Sequence, residues 1–302
     1  MNATLQVAQL RQTVDPRAPH VAQLEAIACE IRRLTVAAIY HAGSGHPGGS
    51  LSCADILAVL YGTVLSLPQA DRPDHDRDRF ILSKGHAAPA LYATWAAFGL
   101  MPRAEVLTLR KLGSRAQGHP HVLDEALAES STGSLGQGFS VAIGMAMGLR
   151  LQNRSARIYA LLGDGELQEG EVWEGAMCAA HYGLSNLCTI VDYNKLQSDD
   201  RNAAIMGLEP LAQKWRAFGW NALEINGHDI DGIIASFDAA RCERTLPTVI
   251  IAHTTKGKGV PYMEDQPPWH GSVKLTLEQI ETALAALGTD SAKTAGLLNG
   301  RG

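Results

Sequence analysis

From Gly136 onward the chain alternates short apolar runs with helical segments, and this alternation constrains the fold more than any other feature. Arg157–Leu162 (RIYALL), Leu187–Val191 (LCTIV) and Thr248–Ala252 (TVIIA) read as strands buried on both faces, with another around Ala222–Ile225. Between and around them, helices are predicted over Phe139–Leu151, Glu171–Tyr182, Leu208–Phe218 and Ile230–Arg241. Strands regularly separated by helices cannot pair as hairpins. They require a parallel sheet covered by helices on both faces, an α/β doubly wound architecture. In such sheets ligands bind outside the carboxyl ends of the strands.

Upstream, Leu24, Ile27, Ala28, Ile31, Leu34, Ala38 and Ile39 recur at helical spacing, and Gly43 ends the pattern. A second helix is predicted from Ser52 to about Leu65, with Asp55 as its capping-box partner. The polar run Asp71–Arg79 reads as a surface loop, and Phe80–Leu82 as a buried strand ending at Ser83-Lys84-Gly85-His86. Helices are predicted at about Ala88–Phe98 and Pro102–Lys111, with Pro102 at the first position. The expected organisation is one domain over residues 21–287, between a flexible extension (1–20) and a flexible, frayed tail (288–302).

A net charge of -5 gives no electrostatic reason to expect nucleic acid or an anionic membrane as a partner, so any phosphate must be held by local geometry. No apolar run has signal-peptide or membrane-span length, and a cytoplasmic protein is expected. Five scattered cysteines without a C-x-x-C spacing read as buried thiols in a reducing compartment.

Chemistry concentrates at two predicted strand ends. Gly163-Asp164-Gly165-Glu166 follows RIYALL, and Asp192-Tyr193-Asn194-Lys195 follows LCTIV. The intervening helix makes a strand–helix–strand unit, whose topology brings Asp164 and Asn194 together. A small octahedral cation such as Mg2+, with Ca2+ or Mn2+ as alternatives, could take a carboxylate oxygen from Asp164, the amide oxygen of Asn194 and the Leu196 carbonyl, sharing the rest with a diphosphate. Gly165 lets the backbone approach that diphosphate, and the following helix N-terminus favours negative charge. An isolated GDG is equally well a tight turn; the strand preceding each element favours the site.

Histidines His46, His86, His119 and His270 lie in Gly- or Pro-flanked turns: GHPGG, KGH, GHP and WHG. A single histidine is more often a surface or core residue, but four in rigid turns fit a site where imidazoles donate hydrogen bonds and move protons. His228 in Gly227-His228-Asp229 lacks a comparable motif. Ser131–Gly138 (STGSLGQG) is a small-residue loop opening a helix, suited either to close packing or to a flat cofactor.

Taken in order, SGHPGGSLS, LSKGHAAPALY, QGHPH, TGSLGQG, GDGELQEGEVWEGAM, DYNKLQSD, EINGHDID and PPWHG resemble the amino-terminal half of transketolase over about residues 22–275. The resemblance implies thiamine diphosphate as cofactor and two-carbon ketol transfer from a ketose, phosphorylated or not, to an aldose. It implies that His46 and His119 contact the donor sugar, His86 lies near the diphosphate, and His270 touches cofactor and substrate. Asp164, Asn194 and Leu196 match the metal ligands, with Asn194 also on the cofactor side; Gly165 matches a diphosphate contact. Gly133, Ser134 and Leu135 match the loop near the cofactor, and Glu169 a carboxylate in a proton-linked network between paired sites. Family members are about twice as long, so a second subunit carrying the pyrimidine-binding and C-terminal domains is expected, in an α2β2 assembly. The lysines of Lys256-Gly257-Lys258-Gly259 could meet phosphate or solvent, and solvent is the favoured expectation. Rival readings are a relative of 1-deoxyxylulose-5-phosphate synthase, a 2-oxoacid dehydrogenase alpha chain, and a non-catalytic cofactor-binding subunit. His119-Pro120 argues against the first two, since a histidine for a hydroxyl suits a ketose donor.

Overall fold

A computed structural model describes residues 18–67, 76–123, 127–198 and 200–300. The apolar runs form strands β1 (Arg79–Leu82), β2 (Ile158–Gly163), β3 (Leu187–Tyr193), β6 (Asn221–Asn226) and β7 (Thr248–His253), while β4 (Leu196–Gln197) and β5 (Asp200–Arg201) pair as a small separate ribbon. The main sheet has the order β1-β2-β3-β7-β6, and every pairing is parallel. All carboxyl ends therefore lie on one edge of the molecule.

Side chains alternate across the sheet and meet two separate apolar layers. Tyr159, Leu161, Cys188, Ile190 and Ile250 face one core, with the long helix α1 (Ala18–Ala42) and Phe237. Ile158, Ala160, Leu162, Val191, Val249 and Ile251 face the other, built with the helices Gln137–Leu151, Gly170–His181 and Leu211–Ala217. Burial on both faces is why these strands read as continuous apolar runs.

Several boundaries differ from the sequence reading. The segment after His46 is a short helix, Pro47–Ser52, followed by Ala54–Val59 and a wider π-turn over Leu60–Val64. Asp55 is thus no capping-box residue: it lies in the interior, bound by Arg32 and His228, and a buried guanidinium outcompetes backbone N–H groups as its partner. Pro102 precedes the helix Arg103–Val106, whose prediction ran too long. The tail is a second correction. Residues 291–298 form a helix whose N-cap Asp290 accepts from the Lys293 N–H, with Leu297 buried against α1. Small residues are good helix formers once one apolar side chain has a place to bury. The predicted N-terminal extension lies largely outside the described residues, as does most of the loop over 71–79; α1 already begins at Ala18.

Candidate active site

Each strand end delivers a polar group to the same edge. β1 runs into Ser83 and Lys84, β2 into Asp164, β3 into Asp192 and Asn194, and β7 into Thr254 and Lys256. Asp192 stands opposite Gly163 and Ala252 in the register, so its neighbours leave room for a carboxylate inside the sheet. It is fully buried and heavily satisfied: Ser52 Oγ donates at 2.6 Å, Lys84 Nζ at 2.5 Å and Asn194 Nδ2 at 3.2 Å, while Thr254 Oγ1 donates to the other oxygen. Burial opposes its charge, but the Lys84 ammonium more than compensates and holds the carboxyl below its usual range.

Asp164 and the Asn194 segment meet directly. Lys195 N–H donates to Asp164 Oδ2 at 2.5 Å and Gly165 N–H to Oδ1 at 2.8 Å; Leu196 N–H donates to Asn194 Oδ1 at 3.2 Å. Lys195 reaches this geometry with φ 69°, a left-handed conformation that turns its N–H back toward β2. Burial, together with the neighbouring Asp192 charge, pushes the Asp164 carboxyl up to about 6. Two like charges at one strand edge call for a cation.

Lys256 supplies one. Its side chain is buried rather than solvated, which corrects the expectation for that residue; Lys258 is partly exposed beside Glu264. Lys256 Nζ donates to the Leu196 carbonyl at 2.5 Å and lies 2.5 Å from His270 Nδ1. Burial pulls its pKa down to about 8, against the pull of Asp164 and Asp192. An ammonium has only donors, so His270 Nδ1 accepts and Nε2 carries the ring proton.

Three imidazoles cap this floor. The ring centroids of His46 and His86 are 5.4 Å apart, those of His86 and His270 5.7 Å, and those of His46 and His270 6.4 Å. Burial, with the nearby cations, holds His46 down to about 4, His270 to about 3 and His86 well below its usual value. All three are neutral at physiological pH. His46 Nδ1 is buried without a hydrogen-bond partner among the described residues.

These groups line a cavity of about 310 Å³ that includes His46, Lys84, His86, Gly133, Leu135, Asp164, Gly165, Glu169, Asn194, Leu196, Lys256 and His270. Gly85 is required by close approach: a Cβ there would sit 2.8 Å from the Gly133 nitrogen and 2.7 Å from Thr132 Oγ1. That contact seats the STGSLGQG loop on the KGH turn. Glu166, buried, ties the same loop down by accepting from Gly136 N–H at 2.9 Å and Gly163 N–H at 3.0 Å, with Ser83 Oγ as a third donor.

Of the residues singled out in the sequence, Ser134 and His119 stand outside the cavity lining. The His119 ring lies against Gly133, whose added Cβ would meet Cδ2 at 3.0 Å, at the mouth. Glu169 is exposed at the cavity rim. Sequence reasoning missed Lys84, Asp192, Glu166 and the burial of Lys256. The signal for the first two was a charged residue immediately at a strand's carboxyl end.

A family described as "Transketolase, thiamine diphosphate binding domain" matches residues 24–297. The chain belongs to the transketolase family. It is 41% identical over 253 residues to an apulose-4-phosphate transketolase subunit of Phocaeicola vulgatus, covering 84% of this chain and 89% of that protein. It is 40% identical over 262 residues to the 6-deoxy-6-sulfo-D-fructose transketolase subunit SqwG of a Clostridium species, covering 87% and 95%. The human transketolase is 42% identical over 257 residues, 84% of this chain but 41% of its own length. Among solved structures, the transketolase of Campylobacter jejuni superposes with a TM-score of 0.81 at 31% identity, over 92% of this chain and 46% of that one. The chain thus spans less than half of these longer transketolases and nearly all of the two shorter relatives. None of the helices in the described residues is long and apolar enough to cross a membrane.

Proposed function

We propose that the chain is the thiamine-diphosphate-binding subunit of a two-subunit transketolase, moving a two-carbon ketol unit from a ketose or ketose phosphate to an aldose. The partner chain would carry the pyrimidine-binding and C-terminal domains, in a cytoplasmic α2β2 assembly. The observation that carries this reading is the junction of Asp164, Asn194 and the Leu196 carbonyl beneath three neutral imidazoles.

The donor set fits a divalent ion and diphosphate. The Leu196 carbonyl already faces a cation, the Lys256 ammonium, and Asp164 is a carboxylate whose proton affinity is raised by burial and by the neighbouring Asp192. Asp164, Asn194 and Leu196 would hold Mg2+; Gly165 and His86 would meet the diphosphate, with Gly133, Ser134 and Leu135 along the cofactor. In this reading phosphate oxygens and water would complete the shell. Bound thiamine diphosphate supplies the electron sink for breaking a carbon–carbon bond beside a ketose carbonyl.

The chain's own residues bind, orient and move protons. His46, neutral and lining the cavity, would take a proton from a donor hydroxyl. His270, with Nδ1 occupied by Lys256, offers Nε2–H to a substrate oxygen on which charge develops. His119 at the mouth addresses a donor hydroxyl, and Glu169 at the rim would link paired sites through protons.

The test is to purify the chain with its partner and screen ketose donors for ketol transfer and pyruvate for decarboxylation. Ketol transfer is expected. Pyruvate decarboxylation alone would replace this reading with a 2-oxoacid enzyme, and cofactor binding without turnover would make the chain a silent subunit. His119→Ala is expected to lower kcat/KM for ketoses at least tenfold while sparing cofactor affinity; equal losses for every donor tested would remove its selective role.

A further inference from the structure

Arg110 joins segments that lie far apart in sequence. Nη1 donates to Ser272 Oγ at 3.0 Å and to Ser44 Oγ, and the two hydroxyls lie 3.1 Å from each other. Beneath this clasp Val273 N–H donates to the Gly45 carbonyl at 2.8 Å, an isolated β-bridge between the same two loops. The guanidinium also lies across Gly118, where a Cβ would stand 3.0 Å from Nε. Ser44 is two residues from His46, Gly118 adjoins His119, and Ser272 is two residues from His270. One side chain therefore touches three turns, and each turn carries a histidine of the site.

Two further features separate Arg110 from an ordinary surface arginine. Its backbone takes φ 60°, an unusual conformation for a residue with a side chain, and it aims the side chain back across the GHP turn. Its hydrogen-bond partners are neutral hydroxyls, with no ion pair to a carboxylate among the described residues. A half-buried guanidinium without a counter-charge projects its field onto its neighbours. His46 and His119 both face it, and its charge adds to burial in lowering both.

We infer that Arg110 is a positioning residue of the donor-sugar end, clasping the turns of His46, His119 and His270 in one arrangement and setting its uncompensated charge beside His46. This deepens the transketolase reading and rests on it for the identity of the substrate. The charged and titratable groups around His46 are Arg110, His119, Lys256, His86 and His270. Only Arg110 combines a fixed positive charge with the clasp.

The experiment separates charge from clasp. Arg110→Lys keeps the charge and loses the fork; Arg110→Gln loses the charge; Ser44→Ala with Ser272→Ala removes the clasp's acceptors and keeps the charge. Histidine resonances of the full chain are titrated by NMR, and the complex with its partner is assayed with fructose 6-phosphate and 6-deoxy-6-sulfo-D-fructose as donors. Arg110→Gln is expected to raise the His46 midpoint by about half a pH unit or more, whereas Arg110→Lys and the double serine variant leave it unmoved. All three are expected to raise donor KM about tenfold and to hold thiamine diphosphate within twofold of wild type, since Arg110 is outside the cofactor cavity. An unmoved His46 midpoint in Arg110→Gln, unchanged donor KM in all three variants, or a parallel loss of cofactor affinity would overturn the inference. If Arg110→Gln does not fold, the other two variants decide through KM and cofactor affinity. If the wild-type complex turns over no ketose, the transketolase reading fails while the His46 titration still judges the charge effect.

Discussion

Lys84 and Asp192 form an ion pair sealed from solvent, with side-chain exposures of 1% and 0%. Such a pair adds little net stability over an apolar pair of the same shape, but removing one partner leaves a buried charge uncompensated. Lys84→Met is expected to lower the unfolding free energy by about 3–5 kcal/mol in urea denaturation. A change under ~1 kcal/mol would mean that Asp192 finds another proton or cation. Lys256 poses the opposite case. Its ammonium already meets Leu196 and His270, so Lys256→Met removes a charge lining the cavity proposed for the diphosphate and a hydrogen-bond donor to the imidazole. Thiamine diphosphate affinity is expected to fall about tenfold or more, read by calorimetric titration of the assembled enzyme. Full affinity in the Met variant would move the diphosphate away from this side chain.

At the scale of elements, the site depends on how closely turns approach one another. Gly85→Ala would place a methyl group within 3 Å of the backbone of Thr132 and Gly133, and the loop over 131–138 cannot retreat without breaking the Gly136–Glu166 hydrogen bond. The variant is expected to lose cofactor binding while keeping its helical circular dichroism; normal binding would show that the loop has room to move. This scale is also where sequence and structure part. The strand ends at Asp164 and Asn194 were legible because a short apolar run followed by a Gly/Asp turn has few alternatives in a parallel sheet. The His46, His86 and His270 cluster was legible as turn chemistry, although its mutual spacing was not. Lys84 and Asp192 stayed hidden because a charge beside a strand end reads as solvent-facing until its partner is known, and that partner lies 108 residues away. The same reasoning sent Lys256 to solvent. The helix over 291–298 was missed because its one buried anchor, Leu297, gives no periodic pattern in so short a run.

At the scale of the whole molecule, burying so many neutral imidazoles couples stability to pH. His46, His86, His119 and His270 all titrate below 6.5 in the folded chain, so below that pH the unfolded chain binds more protons than the folded one. Their linkage leaves stability highest above 6.5 and removes it as pH falls toward 4. Asp164, raised to about 6 from 3.8, has the opposite sign and offsets one imidazole in the same window. The melting temperature is therefore expected to drop on going from pH 7 to pH 5 by calorimetry, and a flat or rising profile would show that the cluster is solvated. The same architecture places the polar ends of four neighbouring strands around one cavity, on the only edge that all of them share, where the proposed function requires a divalent ion and, through it, a diphosphate. The most direct measurement is titration of thiamine diphosphate into the assembled enzyme with Mg2+ and with chelator, for wild type and Asp164→Ala. Tight binding is expected only in wild type with Mg2+; equal affinity in all four combinations would show that no divalent ion at Asp164 holds the diphosphate.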